Sequence, residues 1–238
     1  MRNASRDLPL AGTALVALLL TAANTLAAAP RYADLRHIEP NQGDAAAGLK
    51  KATVCFACHG PSGVSVSPTF PRLAGQRAGY LYQRLLSFKR AAPQDPYYSA
   101  SPMKPIVANL TETDMRDLAA YFSAQTPTPP TAAAAPLPGN GGALFLAGDP
   151  ARGIPPCQGC HGADAGGPSI STGPYIAYPS LRGQYAPYLI ARLTNFHKHL
   201  PHDTTNDFIM GSVAQTLDDE SIEAIATWLS SLIPNRSL

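Results

Sequence analysis

The sequence predicts an all-α protein made of two tandem domains, and three observations lead to this fold class. First, the pattern C-x-x-C-H occurs twice, as CFACH at residues 55–59 and as CQGCH at residues 157–161. Second, residues 71–88 and 179–196 are identical at ten of eighteen positions without a gap, which indicates an internal duplication. Third, apolar residues recur at helical spacing in both copies, and no strand pattern of useful length is present.

Each C-x-x-C-H pattern predicts the covalent attachment of one haem c. Two thiols three residues apart lie on one face of a helical turn, where they can add to the two vinyl groups of one haem. The histidine that follows then faces the iron as its fifth ligand. The chain has four cysteines, so every cysteine is assigned. We therefore predict two haem c groups, attached through Cys55, Cys58, Cys157 and Cys160, with His59 and His161 as axial ligands.

Paired cysteines can also bind zinc, carry out thiol redox chemistry or form a disulfide. A zinc ribbon places its two cysteine pairs about 15–20 residues apart, whereas Cys58 and Cys157 are far more widely separated. A thioredoxin-like redox motif requires a βαβ context, which the sequence lacks. A disulfide within each C-x-x-C pair is the alternative that an oxidising compartment would allow.

The amino terminus has the three parts of a secretory signal peptide. Arg2 and Arg6 precede an apolar run at residues 9–21, and small residues follow at 26–29. An uncleaved membrane anchor is the alternative, but the apolar run is short for a span of about 20 residues. We expect residues 1–29 to be a cleaved signal peptide and the mature protein to be periplasmic, where c-type haem is attached.

The overall charge is small and is distributed unevenly. The chain has 18 basic and 16 acidic side chains, a balance that does not suggest nucleic-acid binding. Residues 28–129 carry 11 basic and 7 acidic side chains, whereas residues 130–238 carry 5 basic and 8 acidic ones. Such an asymmetry can orient a protein toward a charged partner, although most of these charges are expected to be solvated surface.

A proline-rich segment divides the chain. Residues 126–139 contain five prolines, which forbid a helix and favour an extended path. We therefore predict an amino-terminal domain at residues 30–125, a linker at 126–139 and a carboxy-terminal domain at 140–238.

Both halves show the same order of elements. A short helix at 44–51 or 142–148 precedes the C-x-x-C-H turn, and a Gly/Pro/Ser-rich loop leads to a helix that begins near Tyr80 or Tyr188. A further loop precedes a terminal helix, whose predicted start is a capping box at Thr111 with Asp218 as its counterpart. The terminal helices carry matched apolar stripes, Met115, Leu118, Ala119 and Phe122 against Ile222, Ile225, Ala226 and Leu229. Each half is too small to form a large core and is expected to be completed by its haem.

The repeat also selects the sixth ligands. Met103 precedes Leu110 by seven residues, as Met210 precedes Leu217, so both methionines are predicted in equivalent loops as axial ligands. In the same register Met115 aligns with an isoleucine and is assigned to the core. The three histidines His197, His199 and His202 have no counterparts in the first half, so we expect surface positions, with bis-histidine ligation of the second iron as the alternative.

Pro71 and Pro179 lie at the same position of the repeat, each in a P-x-L loop. Because an axial histidine usually donates its second ring N–H to a carbonyl or carboxylate, a carbonyl of this loop is one candidate partner. Stiffening of the loop by proline is the other interpretation, and the sequence leaves both open.

Two C-x-x-C-H motifs, each followed by P-x-L-x-G-Q, then Y-L, a methionine and a short terminal helix, resemble the di-haem cytochrome c4 family over about residues 40–233. The resemblance implies two tandem cytochrome c-like domains related by a pseudo-twofold axis, each wrapped around one covalent haem. It also implies a periplasmic carrier between respiratory-chain donors and terminal oxidases. The sequence departs from the pattern in the loop between His161 and Pro179, which is six residues longer than its counterpart and contains Tyr175 and Tyr178.

We expect electron transfer without enzymatic activity, because His/Met ligation fills both axial positions and leaves no site for a small-molecule substrate. The predicted partners are redox proteins: a membrane oxidase, a quinol-oxidising complex or a dehydrogenase, with membrane association only through them. The alternatives are the cytochrome subunit of a flavocytochrome or dehydrogenase complex, and a small di-haem oxidase or peroxidase.

Overall fold

The computed structural model describes Met1 and residues 33–91, 96–129, 139–170, 172–199 and 203–234. The predicted signal peptide beyond Met1 and residues 130–138 of the predicted linker lie outside the described residues. The described part is helical and contains no strand, only two isolated bridges. Its helices are α1 (Ala45–Lys51), α2 (Thr53–His59), α3 (Ala78–Arg90), α4 (Pro96–Ser99), α5 (Met103–Val107), α6 (Glu112–Ala124), α7 (Gly141–Ala147), α8 (Gln158–His161), α9 (Ala186–His199), α10 (Thr205–Ala214) and α11 (Asp219–Ser231).

In each half the first helix packs against the terminal helix, α1 on α6 and α7 on α11. Glycine makes both close approaches possible. A Cβ at Gly48 would lie 2.1 Å from the carbonyl oxygen of Asp117, and a Cβ at Gly141 would lie 2.0 Å from that of Ala224. The predicted bounds of these short helices are correct to within one residue, and Asp44 caps α1 by accepting a hydrogen bond from the Ala46 amide at 2.7 Å.

Each terminal helix supplies more buried residues than any other helix to one of two separate apolar cores. Met115 is 0% exposed in one core and Ile222 is 1% exposed in the other, which confirms the assignment of Met115 to the core. The predicted caps are also present. Thr111 and Asp114 form a reciprocal capping box, and the Asp218 carboxylate accepts a hydrogen bond from the Ser221 amide at 2.9 Å.

The prediction of loops around the two methionines was wrong. Met103 is the first residue of α5, and Met210 lies within α10. A local cap accounts for the second helix: the Thr204 hydroxyl accepts a hydrogen bond from the Asp207 amide at 3.1 Å and donates one to the Asp207 carboxylate at 2.9 Å. The repeat register does not carry this information, because the cap has no counterpart in the first half.

The longer loop of the second half packs against the first half. The Arg77 guanidinium donates hydrogen bonds to the carbonyl oxygens of Pro168 and Ile170, at 3.0 and 3.2 Å. The Ile176 carbonyl lies close to Gly79 in α3, where a Cβ would approach it to 2.6 Å. The longer loop therefore contributes to the contact between the halves.

A short segment near the amino terminus also joins the halves. Ala33 donates to the Asp203 carbonyl at 2.8 Å and accepts from the Thr205 amide at 3.0 Å, and Leu35 is 3% exposed. Residues 31–238 accordingly form one compact unit. Within the described residues, none of the helices combines the length and the apolar character needed to cross a membrane.

We expect Gly48→Ala to lower the free energy of unfolding, by about 1–3 kcal/mol for an overpacked site, because its Cβ would collide with backbone of α6 rather than with a movable side chain. Gly159→Ala is the matched control, since nothing lies within 4 Å of its Cβ position and its repeat counterpart is Ala57. Chemical denaturation of both variants measures the difference. Equal stability of the two variants would contradict the close approach of α1 and α6.

A second prediction concerns acid stability. A hydrogen bond from the Asp44 amide, together with Lys51, lowers the pKa of Asp117, and Lys51 and the Thr111 cap lower the pKa of Asp114 to about 2. These carboxyls have lower pKa values folded than unfolded, so their stabilisation is present above about pH 3.9 and is lost as the pH falls toward 2. Unfolding followed between pH 5 and 2 should show a shallower pH dependence in Asp117→Asn than in the parent. The exposed Glu223→Gln variant is the control and should keep the parent slope.

Candidate haem-binding sites

Both C-x-x-C-H motifs lie on helical turns, as their spacing predicts. The first forms the end of α2, and in the second the His161 amide donates to the Cys157 carbonyl at 3.0 Å. Each histidine is followed by a glycine at positive φ, 72° for Gly60 and 76° for Gly162. The chain therefore leaves both turns sharply in a conformation that glycine adopts without strain.

A proline carbonyl fixes the ring of each motif histidine. His59 Nδ1 lies 3.0 Å from the Pro71 oxygen, and His161 Nδ1 lies 3.2 Å from the Pro179 oxygen. Because a carbonyl can only accept, Nδ1 carries the proton in both rings and Nε2 keeps its lone pair. The sequence left two interpretations of these prolines open, a carbonyl acceptor for the histidine and stiffening of the loop. The geometry favours the carbonyl acceptor.

The protonation of these rings also suits metal ligation. Both histidines are 6% exposed, and burial lowers the pKa of each ring even though the proline carbonyl acts in the opposite direction. The neutral imidazole is the form that binds a metal.

An aromatic side chain from the same loop flanks each histidine. The ring centroids of His59 and Phe70 are 6.3 Å apart, and those of His161 and Tyr178 are 6.4 Å apart. Phe70 and Tyr178 are repeat equivalents, one residue before the aligned segment. This pair was missed in the sequence, although extending the alignment by one position would have identified it.

A cavity of about 440 Å³ opens beside the first motif, within the range of about 300–1,000 Å³ typical of ligand sites. It brings together four of the predicted site residues of the first half, and it extends to side chains of α9 in the second half. Met210 is half-buried on α10. The predicted residues that line this cavity are Cys55, Cys58, His59 and Met103.

Two equivalent arginines in the cavity wall have different partners. Arg84 forms a two-pronged ion pair with Asp207 of the other half, at 2.9 and 3.1 Å. Arg192 is 7% exposed, stacks 4.3 Å from the Tyr97 ring centroid, and its buried Nη1 has no hydrogen-bond partner among the described residues. A buried guanidinium of this kind suits a carboxylate, which is the polar group of a haem.

The residues present therefore fit a haem. A bound haem supplies an iron that exchanges one electron between its ferric and ferrous forms. The chain supplies paired thiols for attachment, an oriented imidazole and a mostly apolar cavity wall, and the buried Arg192 would suit a haem propionate. Arg84 and Arg192 occupy the same position of the repeat, and this identity is the signal in the sequence that could have pointed to them.

The predicted surface position is wrong for one of the remaining histidines. His197 is half-buried rather than on the surface, and its Nδ1 lies 2.9 Å from the Ala214 carbonyl at the end of α10. His37 is exposed. The side chain of His199 and the whole of His202 lie outside the described residues.

Comparisons with known proteins agree with this site. The family model "Cytochrome c" matches residues 44–125 and 140–232. A cytochrome c4 from Azotobacter vinelandii is 39% identical over 195 residues, which cover 80% of this chain and 90% of the relative. A thiosulfate dehydrogenase electron acceptor from Stutzerimonas stutzeri (strain A1501) is 34% identical over 185 residues, covering 76% of this chain and 80% of the relative.

Among solved structures, the reduced recombinant cytochrome c4 from Pseudomonas stutzeri matches with a TM-score of 0.65 and 35% identity, covering 80% of this chain and 99% of that chain. The two matched stretches, each with its C-x-x-C-H site, indicate two covalently bound haem c groups and an electron-carrying role. The chain belongs to the cytochrome c4 family of di-haem proteins.

Proposed function

We propose that this protein is a periplasmic carrier that passes electrons from respiratory-chain donors, a quinol-oxidising complex or a dehydrogenase, to terminal oxidases. The observation that carries the proposal is the joint presence of His59 and Met103 in the wall of one cavity. An iron held by both would have no open position for oxygen, peroxide or a substrate. Methionine as a soft ligand favours the ferrous form and raises the reduction potential, which suits transfer to an oxidase.

The remaining parts of the proposal follow from the sequence. His59 with Met103, and His161 with Met210, are the proposed axial pairs. The proposed boundaries are a signal peptide at 1–29, domains at 30–125 and 140–238, and a linker at 126–139. Cleavage of the signal peptide would leave the protein in the periplasm, with access to the membrane through its redox partners.

A more specific donor is a second candidate. The similarity to a protein named as a thiosulfate dehydrogenase electron acceptor supports a dehydrogenase as the partner. The opposite charge balance of the two halves, 11 basic and 7 acidic side chains against 5 and 8, supports docking of donor and acceptor on different faces. The role is then still that of a carrier, with the oxidation of thiosulfate performed by the partner.

The methionine ligands can be tested by substitution. Met103→Ala and Met210→Ala should each remove half of the weak near-infrared methionine-to-iron band of the ferric protein, because each removes one sulfur ligand. Each variant should also bind carbon monoxide at one haem when reduced, whereas the parent should bind almost none at neutral pH.

Met115→Ala is the matched control for these variants. It should keep the whole near-infrared band and lose about 2–5 kcal/mol of unfolding free energy, because Met115 is fully buried in the core. Loss of the band in Met115→Ala, or its full retention in Met210→Ala, would refute the ligand assignment.

The carrier role and the enzyme role differ in what reduces the protein. Mixed with thiosulfate alone, the ferric protein should stay oxidised, and addition of a thiosulfate dehydrogenase should reduce both haems within seconds. The haem absorbance in the visible region measures this directly. Catalytic turnover of thiosulfate by the purified protein without a dehydrogenase would instead identify an enzyme. Reduction only by a quinol-oxidising complex would favour the respiratory donor.

A further inference from the structure

Two glutamines at the same repeat position each bind backbone of the opposite half. The Gln76 amide donates to the Ser180 carbonyl at 2.8 Å, and its Oε1 accepts from the Ser180 N–H at 2.8 Å. Gln184 binds Arg72 in the same way: its amide donates to the Arg72 carbonyl at 3.0 Å, and its Oε1 accepts from the Arg72 N–H at 2.9 Å. Both glutamines are 7% exposed. We call these four residues the glutamine clamp.

The orientation of each side-chain amide is determined by its surroundings. Besides the contact across the halves, Gln76 Oε1 accepts the N–H of Arg77 at 2.9 Å, and Gln184 Oε1 accepts that of Tyr185 at 3.1 Å. Each oxygen thus faces two donors while each Nε2 faces a carbonyl. Exchanging the oxygen and nitrogen of either amide would place donors against donors, so the assignment follows from the hydrogen-bond network.

The clamp acts on the peptide groups that hold the axial histidines. The Ser180 N–H and the Pro179 carbonyl belong to one planar peptide unit, and that carbonyl accepts the hydrogen bond from His161 Nδ1. In the first half, the Arg72 N–H and the Pro71 carbonyl form the same unit beside His59. A hydrogen bond to the N–H of a peptide polarises it and makes its carbonyl a stronger acceptor.

We infer that Gln76 is a positioning residue for the haem of the second half and that Gln184 is one for the haem of the first half. Each acts through a chain of hydrogen bonds that runs from the glutamine oxygen through one peptide unit to the ring of the axial histidine. A stronger acceptor at Nδ1 makes the imidazole a better donor to iron and favours the ferric form. The inference rests on the proposed axial roles of His59 and His161.

The predicted effect is crossed between the halves. In Gln76→Ala the reduction equilibrium of the second haem should shift about threefold toward the ferrous form. At about 59 mV per tenfold this is a rise of about 30 mV in its reduction potential, and the potential of the first haem should not change. In Gln184→Ala the first haem should shift in the same direction, with the second unchanged. A merely structural role at the interface would not select the opposite haem.

The measurement is a redox titration of the holoprotein followed by NMR, with the methyl signals of each haem assigned through contacts to side chains of its own half. Gln83→Ala is the matched control. Gln83 lies on α3 and is buried like Gln76, but it is outside the clamp and aligns with an alanine at position 191. Gln76→Met keeps the length and bulk of the side chain, so it carries the test if Gln76→Ala folds poorly.

A shift confined to the opposite haem in each variant, with Gln83→Ala unchanged, would support the inference. An equal shift of both haems, a shift of the haem in the same half, or no shift would overturn it. Failure of the proposed ligand set is visible separately, as a missing near-infrared band in the parent protein. The two outcomes are therefore distinguishable in one series of samples.

Discussion

Both haem sites depend on one interaction, the hydrogen bond from the ring of a buried histidine to a proline carbonyl. At 3.0 Å for His59 and 3.2 Å for His161, it fixes Nδ1 as the protonated nitrogen and leaves Nε2 with its lone pair. The elements around it follow from the need to hold both partners. A helical turn presents the histidine, a glycine directs the chain away from it, and the loop returns twelve or eighteen residues later with the carbonyl.

The duplicated halves are not equivalent, and their differences lie where the halves meet. Arg84 has a carboxylate partner in Asp207, whereas the equivalent Arg192 has none among the described residues and stacks on an aromatic ring. The longer loop of the second half gives Arg77 two carbonyl acceptors. A buried guanidinium without an acid beside it adds uncompensated positive charge near the cavity, so duplication has produced two electrostatically different environments.

The contact between the halves has a consequence for electron transfer. The peptide units whose carbonyls bind His59 and His161 lie directly in it, and each is hydrogen-bonded to a glutamine of the other half. A partner protein that shifts one half against the other would then alter both sites together. Residues 31–238 form one compact unit, which contains both sites.

The sequence by itself determined the fold class, the two haems and the core. The C-x-x-C-H motif is compatible with few functions. The apolar residues of a buried helix face, such as the one that contains Met115, follow the spacing of the α-helix, which is a local property of the chain. It did not determine the helices around Met103 and Met210, the burial of His197 or the roles of Gln76 and Gln184. The glutamine contacts join residues more than a hundred positions apart, and the helix around Met210 begins at a cap present in one copy alone. An internal repeat identifies the features that the two halves share. The contacts between the halves depend on surfaces that exist only in the folded protein.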